Sequence, residues 1–537
     1  MTLAGPRLSI LCVGGGVSGT ALVIALVRAV QGLPAALRER AASMLSVVVV
    51  EATGVHGPGL PYGDQAQPFH LMNMESHTVS LLGDREDDFV SWLSASGSTG
   101  DDGRDSAGGF VPRNVFGAYA VQRLGEYAEL GSRLGLDIRL VCGTVTGLRR
   151  VAGGFEAALG SGATIRADRL VLASGHWRAE HGLADNALAP WPARELADAT
   201  CSARHITMVG TSLTAVDALL TISHARGRFV EGKDGWLEYE PGPRGEYRIT
   251  AVSRNGLLPM VRAPEPAPAE DGVGAGNPYL AKEVRSELGE SGTAPVVLDQ
   301  VRTRFTAALR WTADRVGGGP PAWSPVLASM SPGRTGDRTA EALGLVGAGL
   351  ELARHPDPRW VGFQSTVRGF FSTLNWFYRS MDRRQRTRLL TEFFTPFLSE
   401  AGAMPVQNAR KIGALLRSGT LRVHAGGPDA DAPAPEVTVN AIGRARAIAP
   451  HSGIAGQAIV AGLVDPNPHG GIHMDPDSGL ALRVDGTTIP DIAVLGPLAV
   501  GSYLGSSGVY ASVKFARSVT DQWVAEALTT AYQEART

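Results

Sequence analysis

The sequence predicts an α/β protein with two parallel sheets, each opened by a glycine turn, and a mainly helical block set between the α/β halves. Three observations carry this. Short β-branched runs alternate with helical stretches, the pattern of a sheet with helical crossovers. "LSILCVGGGVSGTALVIALV" (8–27) and "HITMVGTSLTAVDALLTI" (205–222) each set a small-residue turn between a strand and a helix. From about residue 278 to 416, aromatics and leucines recur at helical spacing, as in "VRTRFTAALRWTADRV".

Strands are expected at 8–13, 46–51, 168–173, 205–209, 247–252, 437–442 and 491–495, and surface loops at 94–109, 263–276 and 424–436. The 537 residues are 44% hydrophobic and 19% charged, a globular composition with room for more than one core. A net charge of −2 offers no basic field for nucleic acid or anionic lipid. Cys12, Cys142 and Cys201 have no metal-site spacing and form no C-x-x-C, which suits a reducing cytoplasm. No apolar run reaches the roughly 18 residues of a membrane span, and the first apolar run is broken by its glycines, unlike a signal peptide. The sequence allows a homo-oligomer without specifying one.

The first turn, Gly14-Gly15-Gly16-Val17-Ser18-Gly19, satisfies G-x-G-x-x-G between a strand and a helix. Gly14 serves the tight turn, Gly16 the approach of a diphosphate to the backbone, and Gly19 close helix packing. The anion would rest on the helix N-terminus beside Val17 and Ser18. Glu51 ends the next strand, "LSVVVVE", where an acid can hold ribose hydroxyls. The second turn runs Gly210-Thr211-Ser212-Leu213-Thr214, with serine in the middle glycine slot. Its following strand closes on Arg254, which favours a 2′-phosphate; the alternative is a surface arginine. The economical division is one site that permanently holds FAD and one that NADPH visits.

Carried by "VGGGVSGTAL", "GLPYGDQAQPFHLMNMESHTVSLL", "VPRNVFGAY", "LVLASGH", "VGTSLTAVD" and "SRNGLLP", the chain resembles the FAD/NAD(P)-binding flavoproteins related to class B N-hydroxylating monooxygenases. The resemblance spans about residues 8–260, with weaker support over 437–525. Ser212 and Ser174 depart from the pattern, as does the lack of an acid after Gly496. The resemblance implies a glutathione-reductase-like FAD domain plus an NADP domain, both Rossmann-like. Residues 1–177 would begin the FAD domain and 178–277 the NADP domain. Residues 278–416 would be a helical insertion and substrate region, and 417–537 would return to both domains with a C-terminal helix toward the flavin.

It further implies FAD contacts from Val145, Gly175, Gly496, Pro497, Ser507, Gly508 and Val509. Arg113 either binds cofactor phosphate or staples a loop. His70, Asn73 and Ser76 would sit by the flavin ring, the alternative for His70 being a satisfied buried histidine. The implied activity is NADPH-dependent monooxygenation of the primary amine of a small amino acid, aspartate among them, through a flavin C4a-hydroperoxide and O2, with Arg379 gripping a substrate carboxylate. The rival readings are a C- or S-oxygenating enzyme of the same architecture and a non-catalytic redox sensor.

Overall fold

The computed structural model describes residues 8–97, 109–175, 187–264, 276–280, 296–318, 335–427, 433–442 and 447–534. His176 and most of the expected loops at 94–109 and 263–276 lie outside them, as do parts of the 278–416 block and of 424–436. The chain divides into two units: Met1–Pro68, Met74–His181 and Arg444–Thr537 form one, Phe69–Asn73 and Gly182–Gly443 the other.

The first unit starts with β1 (Leu8–Val13), α1 (Val17–Gln31), α2 (Ala35–Met44), β2 (Leu45–Glu51), α3 (Asp88–Ser96), α4 (Arg113–Leu134) and β3 (Asp137–Cys142). An antiparallel meander follows, β4 (Val145–Val151), β5 (Gly154–Leu159) and β6 (Thr164–Ala167), and then β7 (Arg169–Leu172). The second unit holds α5 (Ala193–Ala199), β8 (His205–Val209), α6 (Leu213–Arg226), the hairpin β9 (Gly227–Glu231) and β10 (Leu237–Pro241), and β11 (Arg248–Ser253). Beyond lie α7 (Leu298–Val316), β12 (Gly336–Asp337), α8 (Thr339–Arg354), α9 (Pro358–Arg379), α10 (Arg383–Arg388), α11 (Phe394–Ala401), α12 (Val406–Arg417), β13 (Leu421–Ala425) and β14 (Val437–Asn440). The chain then returns to the first unit with α13 (Gly453–Val460), β15 (Leu480–Leu482), β16 (Thr488–Val494) and α14 (Val509–Glu534).

The first unit's sheet has the order β15-β16-β7-β1-β2-β3, parallel except at β15. Central strands buried on both faces read as unbroken apolar runs, as "LCV" and "VVVV" do. The second unit's sheet has the order β12-β13-β11-β8-β14, parallel except at β12. Each has its own core, one around Leu22, Val49 and Phe515, the other around Met208, Leu219 and Ile249. The helical stretch is the long connection from β11 to β13. Its α7, α9 and α11 close on Phe305, whose ring lies 5.0 Å from Phe370 and 5.9 Å from Phe397. β13 reaches Ala425, so the loop expected from residue 424 starts two residues late.

Candidate nucleotide-binding sites

The two glycine turns repeat one backbone design. In the first unit Gly14 N donates to Val50 O (2.9 Å) and Ala173 N to Val13 O (2.9 Å). In the second, Gly210 N donates to Val252 O (2.8 Å) and Ala441 N to Val209 O (2.8 Å). Both leading glycines have positive φ, +113° and +119°. A Cβ on Gly14 would stand 2.2 Å from Ala173 O, and one on Gly210 2.5 Å from Ala441 O. No larger residue fits either place.

Each turn then opens a helix without capping it. Gly16 has no side chain to offer, and the Ser212 side chain makes no cap hydrogen bond. Neither helix carries an acid in its first turn. The end-of-helix N–H groups of α1 and α6 are therefore left for an anion, which the helix dipole also favours. Val17 and Ser18 begin α1, and Leu213 and Thr214 begin α6.

Gly16 also has a protein neighbour. The space its side chain would fill is taken by Gly59, whose Cα would lie 3.0 Å from a Cβ there. The loop at 57–59 closes over the turn: Gly57 N donates to Gly15 O (2.7 Å), and Thr20 Oγ1 donates to Gly57 O (3.2 Å). Gly19 packs tightly as expected, with Gly14 O 2.3 Å from its missing Cβ. Glu51 is buried at the end of β2. One of its oxygens accepts Gly15 N (2.8 Å), and the other accepts Thr53 N and Oγ1 (both 2.9 Å). The acid thus braces the turn from the end of β2.

The C-terminal elements meet the same turn. Gly496, with φ +68°, would drive a Cβ to 2.5 Å from Ser18 Oγ, and Ser18 Oγ shares a hydrogen bond with Ser512 Oγ (3.0 Å). Pro497 follows in a short 3-10 turn. Ser507 and Gly508 are exposed just ahead of α14, and Val509 is buried as its first residue. This helix too lacks an acid in its first turn. Sequence reasoning missed the loop glycines Gly57 and Gly59 and the partner Ser512; the run "GPGLPYG" was the available signal. Val145 is buried at the start of β4, and Gly175 (φ +77°) follows β7. Arg113 is the first residue of α4, its guanidinium 6.0 Å from the Tyr62 ring.

In the second unit Thr211 Oγ1 donates to Leu257 O (2.6 Å) and lies 2.9 Å from Ser253 Oγ, tying the turn to the loop after β11. Arg254 is exposed on that loop, with Nη2 donating to Thr395 Oγ1 (3.1 Å). Arg379 is half-buried at the end of α9, and its carbonyl accepts Arg386 Nη2 (2.8 Å).

The polar window is divided between the units, His70 and Asn73 in the second and Ser76 in the first. His70 is fully buried and shares a hydrogen bond with Thr221 Oγ1 (2.9 Å), inside a ring cluster of Phe69, Trp191 and His224. This matches the satisfied buried histidine. Asn73 O accepts from Arg262 Nη2 (3.0 Å), and Ser76 N donates to Gly109 O (3.1 Å).

In the same cluster, burial and the nearby Lys411 charge lower the His224 pKa from 6.5 to about 4. Its ring stacks on Phe69 at 4.1 Å. The folded protein keeps this histidine neutral while the unfolded chain binds a proton, so stability is full above about pH 6.5 and falls as pH drops toward 4. With its partial exposure, the loss at about pH 4.5 is roughly 1–2 kcal/mol. His224→Phe keeps the stack, and thermal melts across this range are expected to lose that part of the fall. Parallel curves for the two proteins would refute the assignment.

Among the described residues no group of three or more His, Cys, Asp or Glu is placed to hold a metal ion, and no helix is long and apolar enough to cross a membrane.

Two parallel sheets, each with an uncapped glycine turn at the head of its first helix, define a protein with two dinucleotide-type cradles. The first coincides with a family match: residues 11–177 match the FAD-NAD(P)-binding family model. Three solved structures align along nearly the whole chain. Ornithine hydroxylase from Pseudomonas aeruginosa is 12% identical with a TM-score of 0.49, over 97% of this chain and 100% of that one. L-lysine 6-monooxygenase from Pseudomonas syringae is 12% identical with a TM-score of 0.47, over 96% and 99%. A flavin-containing monooxygenase from Stenotrophomonas maltophilia is 13% identical with a TM-score of 0.40, over 98% and 99%. No curated protein sequence matches the chain significantly.

Proposed function

We propose that the protein is an FAD- and NADPH-dependent monooxygenase that oxygenates the primary amine of a small amino acid. The observation that carries the reading is the opposite chemistry beside two like turns. Buried Glu51 ends the second strand of one unit, and exposed Arg254 follows the second strand of the other. The acid suits the unphosphorylated ribose of FAD, and the guanidinium suits the 2′-phosphate of NADPH.

The residues present fit both groups. The α1 N-terminus, bare of cap and acid, takes the FAD diphosphate beside Gly14, Val17 and Ser18, with Gly496 and Pro497 alongside. The α14 N-terminus at Ser507, Gly508 and Val509 is assigned to the flavin ring, where its dipole favours negative charge. The α6 N-terminus takes the NADPH diphosphate. FAD, when bound, supplies the two-electron and oxygen chemistry. The chain must exclude water and present the substrate amine unprotonated, since only the free amine is a nucleophile. Amine oxygenation rests on the sequence resemblance, and Arg379 is assigned to a substrate carboxylate as a bidentate partner.

The test is to purify the protein and mix it with NADPH in air. A yellow protein that consumes NADPH, faster with an amino acid such as aspartate, and adds oxygen to nitrogen by mass spectrometry is expected. Oxygen found on carbon or sulfur would overturn the N-oxygenation reading. A yellow protein that never oxidises NADPH, whatever the substrate, would overturn the enzyme reading.

A further inference from the structure

The loop after β11 leads to a second arginine that the motifs do not contain. Ser253 Oγ, bonded to Thr211 of the glycine turn, accepts Gly256 N (3.0 Å). A Cβ on Gly256 would stand 2.8 Å from Cγ of Arg338, so this glycine leaves room for that side chain. Arg338 comes from the middle of the helical connection, between α7 and α8. It follows β12, and its N–H donates to Val423 O (2.7 Å) on β13, next to β11 in the sheet. Its side chain is 14% exposed, and its Nε is buried with no hydrogen-bond partner among the described residues. Arg338, Gly256, Leu257, Leu258 and Glu341 line a cavity of about 10 Å³, room for one water. Among the described residues, Glu341 is the anion paired with Arg338, bonded to Nη2 at 2.6 Å and itself 44% exposed.

We propose that Arg338 is a second cation for the 2′-phosphate of NADPH, acting beside Arg254, with Glu341 its resting counter-ion. The inference rests on reading the second cradle as the NADPH site. A guanidinium at the end of the second strand of such a unit lies on the adenosine side, where the ribose 2′-position is read. Its donors form a fork that matches phosphate oxygens in a bidentate way. The exposed Glu341 can swing into water when a phosphate takes its place, so it competes with the ligand.

Calorimetry on the flavin-loaded protein, with 2′,5′-ADP and 5′-AMP as probes, tests this. Wild type is expected to favour 2′,5′-ADP. Arg338→Ala is expected to weaken 2′,5′-ADP by about tenfold or more while leaving 5′-AMP within about twofold. Glu341→Gln is expected to tighten 2′,5′-ADP alone. Thermal melts establish that each variant is folded, and Arg338→Lys serves in place of the alanine variant if that one is not. Equal weakening of both probes, or no change in either, would overturn the role of Arg338 and leave the NADPH reading standing. A wild type that does not distinguish the probes would overturn both.

Discussion

Gly14→Ala is expected to give a colourless protein. The substitution puts a side chain where φ is +113° and 2.2 Å from the Ala173 carbonyl. Residues forced into such a conformation cost about 1–3 kcal/mol each before any clash is counted. Ala173 cannot yield easily, because its N–H is bonded to Val13 O across the sheet. The turn must therefore open at the point where α1 begins, and the donors for the diphosphate move with it. Flavin content per chain, read from visible absorbance after purification, is expected to fall at least tenfold on this argument. Retention of full colour would mean the first cradle does not hold the flavin.

Gly210→Ala is the matched experiment in the second unit. The strain is alike, with φ +119° and a Cβ 2.5 Å from Ala441 O, but it falls on the other core. This variant is expected to remain yellow and to be reduced by dithionite, while NADPH reduces it at least about 100-fold more slowly, as expected when a diphosphate site is lost. Rapid-mixing absorbance under anaerobic conditions gives the rate. Loss of flavin with unchanged NADPH reduction of the remainder would reverse the assignment of the two turns.

The parts legible in the sequence were those whose physics is local. Apolar β-branched runs gave β1, β2, β7, β8 and β11 to within one residue at each end, and β14 and β16 to within three. The glycine turns were legible because only small residues tolerate their geometry. Edge and meander strands escaped, since "DIRLVC" has no fully buried position and "VTGLRRV" only two. β13 was hidden by the glycine-rich stretch that follows it. At the sites, the glycines of "GPGLPYG" could be seen, but the meetings of Gly59 with Gly16 and of Arg338 with Gly256 could not, because each joins residues far apart along the chain. His70 shows the same limit. A histidine among apolar neighbours reads alike whether it faces a ligand or, as here, Thr221.

The loop that shuts against Gly15 and Gly16 has a thermodynamic consequence. Its bonds from Gly57 and Thr20, with the brace from Glu51, hold the backbone of the first turn through protein groups alone. The ordering entropy of that segment is thus lost when the chain folds, and association with the cofactor has none of it left to lose. A preorganised mould of this kind gains affinity from rigidity without adding a single contact.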